Sequence, residues 1–241
     1  MYDAEGKKQV VLREDVERLR ASAKSLMPEG FEKQIPPKDM SDLLEFLTKR
    51  GKFVPIEMGR YATIASDRGM FFNKEGDVER MIFADWKPKT FKNVPFVLTD
   101  PKQGTVPNTI MLHSSRNDYV GKMPKNVSVP LNGPARAIHM LSGVSGWGHP
   151  AGQGKTVSMI VRLHYADGSK EDHPLRNAVH FADYIRRVDV PGSEFAFALR
   201  GQQLRYLTVV PKRDGVIKDI EFVKGPDLSV PLVMAITVES K

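Results

Sequence analysis

The sequence predicts a mainly β protein, a β-sandwich preceded by a short helical segment, on three observations. From Tyr61 onward, short apolar runs recur between Gly, Pro, Asn and Asp with no helical spacing. One run, Val157 to Tyr165, alternates Met159, Val161, Leu163 and Tyr165 with Ile160, Arg162 and His164, which gives a core face and a mixed face. Asp167-Gly168 follows directly as a hairpin turn.

Composition narrows the function classes. The 241 residues are 41% hydrophobic and 27% charged, ordinary values for a chain that buries a core. Lys and Arg number 36 against 29 Asp and Glu, a formal charge of +7 that favours anionic partners. The cations are scattered, and Lys87, Lys89 and Lys92 are interrupted by Pro88 and Phe91. That pattern reads as a solvated face, so nucleic acid is not an expected partner. Cysteine is absent, which removes disulfides, thiolate zinc sites, cysteine nucleophiles and C-x-x-C-H haem attachment. No apolar run reaches 18 residues and MYDAEGKKQ has no apolar signal region, so neither a membrane span nor a signal peptide is expected within this sequence.

The chain begins with a turn-like Asp3 to Lys7 leading into a strand from Gln9 to Leu12, with only Met1 and Tyr2 before it. A strand lacking its hairpin partner leads to the expectation that a longer protein precedes it. Glu14 to Ala21 can form a short helix, with Glu14 four residues before Arg18. Met40, Leu43, Leu44 and Leu47 fall at helical spacing and predict an amphipathic helix from Lys38 to Lys49. Pro37 suits its first position, and Lys49, Arg50 and Gly51 are stop signals.

These residues, REDVERLRASAKSLMPEGFEKQIPPKDMSDLLEFL, resemble the end of the haem-binding domain of large secreted c-type cytochrome and membrane-bound dehydrogenase-like proteins of Planctomycetes and Verrucomicrobia type. SLMPEGF and DMSDLLEFL carry the resemblance, which covers residues 1–50. The family's haem-attachment motif is missing, so haem is expected only in an upstream part, and Pro36 stands where a hydroxyl cap is usual. The resemblance implies the tail of a longer exported protein, periplasmic or extracellular.

Residues 51–60 read as a linker or first edge, and residues 61–241 as the sandwich. Tyr61 to Ala65, Met70 to Phe72, Met81 to Phe83, Phe96 to Leu98, Thr109 to His113, Val127 to Leu131 and Ala135 to Leu141 are the expected early strands. A second hairpin is expected at Asp214-Gly215, between Leu204 to Pro211 and Val216 to Val223. In the final PLVMAITVE, Leu232, Met234, Ile236 and Val238 are expected to face inward. The order FKNVPFVLTDP, NTIMLHS, ARAIHMLSGVSGWG, VRLHYADGS, HFADY resembles the galactose-binding-like jelly rolls appended to bacterial carbohydrate-active and other exported proteins. That resemblance implies sugar binding by loops at one end, in some members with a structural calcium ion, and a spacer role in many.

The loop GHPAGQGKT resembles a phosphate cradle but does not match its pattern. Counting back from Gly154 puts His149 where the first glycine belongs, and a strand, not a helix, follows. It reads instead as a flexible Gly-rich connection. Trp147 with His149 is the sharper candidate, because a loop indole stacks on the C–H face of a pyranose while polar neighbours orient hydroxyls. The alternative for Trp147 is a cap on the sandwich core. His180, Asp183 and Tyr184 form a second polar-aromatic set, with His180 open to a purely structural reading. Arg116, Asn117, Asp118 and Tyr119 form a loop of sugar-binding type or an ordinary Asx turn. No histidines show chelating spacing and His139 reads as a core histidine; Asp167, Asp172 and Asp183 would hold calcium only through tertiary assembly. The serines near His139 and His149 do not form a nucleophile elbow.

The expected function is a non-catalytic carbohydrate-binding or adhesion module at the end of a larger exported redox protein, with a polysaccharide partner that is acidic or sulfated if the net charge is used. The alternatives are a structural module positioning a cytochrome or dehydrogenase domain, and a polysaccharide hydrolase or lyase.

Overall fold

The computed structural model describes residues 35–40, 51–71, 80–152, 154–199 and 202–241. The chain divides into two units, residues 1–50 and 51–241. In the first, residues 37–40 form a helical turn opening at Pro37, and the Met40 amide donates to the Pro36 carbonyl at 2.9 Å. Proline fits there because a first-turn N–H has no helical partner to lose. The rest of the helix expected to Lys49, the strand Gln9 to Leu12 and the helix Glu14 to Ala21 lie outside the described residues.

The second unit is a mainly β, antiparallel sandwich. Its described strands are β1 Phe53–Ile56, β2 Lys89–Phe91, β3 Val94–Phe96, β4 Ile110–Met111, β5 Asn126–Gly133, β6 Ala137–Ser145, β7 Val157–Tyr165, β8 Lys170–Arg176, β9 Glu194–Leu199, β10 Gln202–Val209, β11 Ile217–Lys224 and β12 Val230–Glu239. One sheet runs β1-β12-β6-β10-β9 with β4 also on β12, the other runs β5-β11-β7-β8, and β2-β3 is a separate hairpin. Residues 51–60 are thus an edge of the sandwich and not a linker: Val54 pairs with Val238, and Met58 is fully buried in the inter-sheet core.

The inter-sheet core joins Val161, Leu163, Ile220 and Phe222 of one sheet to Ile138, Met140, Leu207 and Ile236 of the other. A second core lies on the opposite face of the larger sheet, where Leu141, Leu204 and Leu232 meet Met70, Phe71, Met81 and Phe96. Both faces of that sheet are covered, which is why every residue of β6 is buried. The runs Tyr61 to Ala65, Met70 to Phe72 and Met81 to Phe83 supply part of this cover without forming strands; only Ile64 makes a bridge, to Thr109, and Phe72 lies outside the described residues. Their apolar side chains bury, but a few residues between breakers are too short to build a ladder.

Two further expectations are corrected. The segment around Asp214-Gly215 is not a hairpin, because β10 pairs with β6 and β9 whereas β11 pairs with β5 and β7. It is a crossing between sheets, pinned where the Arg213 guanidinium lies 4.0 Å over the Tyr165 ring and bonds Asp167 at 2.6 Å. In β12 all four expected residues are buried, but a bulge between Val233 and Ala235 changes their side. Leu232 and Met234 enter the outer core, whereas Ile236 and Val238 enter the inter-sheet core.

Candidate functional site

The site is built on the connection between β6 and β7. β6 is buried along its whole length, and immediately after it Gly146 and Trp147 turn left-handed, with φ of 74° and 65°. For a tryptophan this conformation costs about 1–2 kcal/mol, so neighbouring interactions must fix it. They do so from three directions. The Gly148 amide donates to Asp183 Oδ2 at 2.9 Å, and the His149 amide to Asn177 Oδ1 at 2.8 Å. Arg116 Nη2 donates to the Gly146 carbonyl at 3.2 Å. The Ala151 and Gly152 amides both donate to the Gly148 carbonyl, at 3.0 and 3.1 Å, closing the turn on itself. As far as Gly152 the loop is therefore a tied turn, in place of the flexible connection expected.

Asp183 is itself held from β10. Gln203 Nε2 donates to the carbonyls of Asp183 and Arg186 at 2.9 and 2.6 Å. Two residues on, Arg205 is 1% exposed and donates to Ser193 Oγ, Val188 O and Ser193 O at 2.6–2.7 Å. Sheet, 183–193 segment and Trp147 turn thus form one hydrogen-bonded stack. A buried guanidinium is costly unless its donors are satisfied, and here carbonyl and hydroxyl oxygens do that.

The stack leaves the Trp147 indole 53% exposed, so it does not cap the core. It forms one wall of a cleft of about 540 Å³, with Arg116, Thr156, Asn177, Asp227 and Leu228 around it. Leu228 is a second exposed apolar side chain. Asp227 contributes little free charge: its carboxylate accepts from Ser158, Ser229 and Thr156 hydroxyls at 2.6, 2.7 and 3.0 Å and pairs with Lys224 at 3.0 Å. Burial pushes its pKa up, but the Ser158 and Ser229 bonds and the Lys224 ammonium outweigh that and leave it below the usual carboxylate range.

Of the residues singled out from sequence, Trp147 and Arg116 line the cleft, and His149 contributes the backbone that holds the turn. Asp183 and Tyr184 are buried beneath it at 3% and 0% exposure. His180 is half-buried, with Nδ1 accepting the Arg176 amide at 3.0 Å; burial, then the Arg176 charge, hold its pKa below the usual value. Asn117 serves locally: its Oδ1 accepts the Tyr119 and Val120 amides at 3.0 and 3.1 Å. Asp118 is exposed, and Tyr119 turns away to bond the Gly69 carbonyl at 3.1 Å and line a different hollow. Asp167, Asp172 and Asp183 engage separate partners, and no group of three His, Asp or Glu side chains among the described residues is placed to hold a metal. Leu228 and Asn177 were not legible as site residues, because each comes from a distant segment and carries no motif; Thr156 ends the GHPAGQGKT loop itself but carries no sugar-binding signal there.

No family model matches the chain, and no curated protein matches it. Among solved structures it is similar to the catalytic unit of a thermostable GH87 alpha-1,3-glucanase from Streptomyces thermodiastaticus strain HF3-3, at 16% identity and a TM-score of 0.34. The match covers 78% of this chain and 26% of that one, so the chain spans about a quarter of the glucanase structure. A likeness this distant assigns no activity.

Proposed function

We propose that this chain is a non-catalytic carbohydrate-binding module whose ligand platform is Trp147. The observation that carries the reading is an indole held half out of the surface in a strained, multiply tied turn at the rim of a cleft. Backbone strain held in place by surrounding bonds is a mark of functional sites. A flat apolar face with hydrogen-bonding groups beside it suits a pyranose ring. The one carboxylate that lines the cleft among the described residues, Asp227, is buried, hydrogen-bonded and ion-paired. It is poorly placed for proton transfer, and glycoside hydrolysis needs a pair; both points support binding over hydrolysis.

The test is affinity electrophoresis of the chain in gels containing a panel of neutral and acidic polysaccharides. Retardation is expected with at least one, and Trp147→Ala is expected to weaken it by about 10-fold or more, the loss of one stacked ring being worth about 1–2 kcal/mol. Absence of retardation across the panel would overturn the reading. Export as part of a larger redox protein is proposed on the resemblance of residues 1–50 alone, and cell fractionation of the natural host tests it. No helix among the described residues is long and apolar enough to cross a membrane.

A further inference from the structure

We propose that the cleft selects anionic sugars, with Arg116 as the residue that reads the carboxylate or sulfate of a ring stacked on Trp147. This inference rests on the carbohydrate-binding reading and adds the ligand class and the residue that sets it. The local charge balance of the cleft points to such a ligand independently of the net charge of the chain. Among the described residues, two oppositely charged side chains line the cleft, Arg116 and Asp227. The Asp227 carboxylate is 4% exposed and already holds the Lys224 ammonium at 3.0 Å, so its charge is compensated inside the protein. Arg116 is exposed, and no carboxylate among the described residues pairs with it. Among the described residues, the cleft therefore presents to a ligand one uncompensated cation and no uncompensated anion.

Geometry places that cation in the same cleft as the indole, tied to the backbone beside it. Arg116 Nη2 is bonded to the carbonyl of Gly146, the residue next to Trp147, and the Arg116 amide is fixed on Ser114 Oγ at 3.2 Å. A guanidinium carries five donors, so most remain for a ligand, already oriented in the planar fork that matches a carboxylate or sulfate. Holding the head-group before binding also reduces the ordering cost that a free surface lysine would incur. Trp147 and Arg116 together match a ring with an apolar face and an acidic substituent on its edge.

The experiment uses the whole chain in affinity gels with polygalacturonate, dextran sulfate and neutral dextran. Tighter binding to a polyanion than to dextran is expected, and the stronger of the two polyanions tells carboxylate from sulfate. Arg116→Gln should weaken polyanion binding about 10-fold or more, Arg116→Lys should retain part of it, and Lys218→Gln, an exposed lysine on β11, should change it by less than about 2-fold. Equal weakening by Arg116→Gln and Lys218→Gln overturns the inference, because attraction would then be general. Binding to dextran as strong as to the polyanions, unaffected at Arg116, also overturns it while leaving the carbohydrate reading in place. No binding to any of the three, nor to other polysaccharides, overturns both. If Arg116→Gln lowers the melting temperature, Trp147 fluorescence in a Trp86→Phe background decides: quenching by galacturonate and not by galactose supports the inference, and equal quenching overturns it.

Discussion

His180 and His139 show how burial of single groups sets the pH response of the fold. His180 Nδ1 accepts an amide hydrogen, a bond that a protonated ring cannot make. His139 sits at 5% exposure between Tyr206 Oη at 2.7 Å and Glu239 at 3.4 Å. Burial lowers its pKa despite the hydrogen bond and charge of Glu239. Both histidines are therefore depressed below their unfolded value, so the unfolded chain binds more protons across that window and stability falls as pH drops through about 6.5. The expected outcome is a lower urea midpoint at pH 5.5 than at pH 7.5. His180→Asn, which offers an amide oxygen near the position of Nδ1 but does not titrate, should flatten that slope while changing stability at pH 7.5 by only about 1 kcal/mol. A slope identical to wild type would show that His180 does not contribute.

Among the elements, the β6–β7 turn is the one on which the site depends, and its tightness is measurable. A Cβ at Gly152 would sit 1.7 Å from the Trp147 carbonyl oxygen, a backbone atom that cannot swing away, so Gly152→Ala must open the turn. At Gly168 in the β7–β8 hairpin, a Cβ would meet nothing within 4 Å and only the φ of +86° opposes it. Gly168→Ala should therefore cost about 1 kcal/mol, from backbone preference alone. Gly152→Ala should cost about 2 kcal/mol or more and also weaken polysaccharide binding. Melting temperatures of the two variants check the order; equal losses would mean that Gly152 is not packed against the Trp147 carbonyl.

The same elements show what was legible in the residues. β7 and its Asp167-Gly168 turn follow directly from strict alternation and a strong turn signal, and the strand occupies Val157–Tyr165 as expected. The β2–β3 hairpin was missed because its turn residues, Lys92 and Asn93, take φ of 49° and 64° without a glycine, within a stretch that reads as a solvated charged face. β9 was missed as well, and the sheet crossing at Asp214-Gly215 carries the local chemistry of a hairpin. Local signals specify a bend; which strands pair across it is decided by burial on a second sheet. In the site, Trp147 stood out as a rare residue in a loop, but the Gln203 and Arg205 scaffold beneath it is written in a strand with no motif.

For the unit of residues 51–241 as a whole, the governing feature is one sheet with a core on each face. β6 and β12 contribute to both: Ile138 and Met140 face the inter-sheet core and Leu141 the outer one, while the β12 bulge moves that strand's side chains from one to the other. A strand that packs on both sides cannot lose one core and keep its position for the other, so the two layers should unfold as a single cooperative unit. Trp86 offers a reporter on the outer layer, with its ring edge-on to Phe83 at 5.7 Å. Leu163 is fully buried on β7, in the other core. Leu163→Ala should destabilise by about 2–5 kcal/mol, the usual range for a buried leucine. In a Trp147→Phe background, the urea midpoint read by Trp86 fluorescence should fall together with the midpoint read by far-UV circular dichroism, with the slope of each transition unchanged. A Trp86 transition that stays in place while the circular dichroism midpoint moves would show that the outer layer folds independently of the sandwich and that β6 and β12 do not couple the two cores.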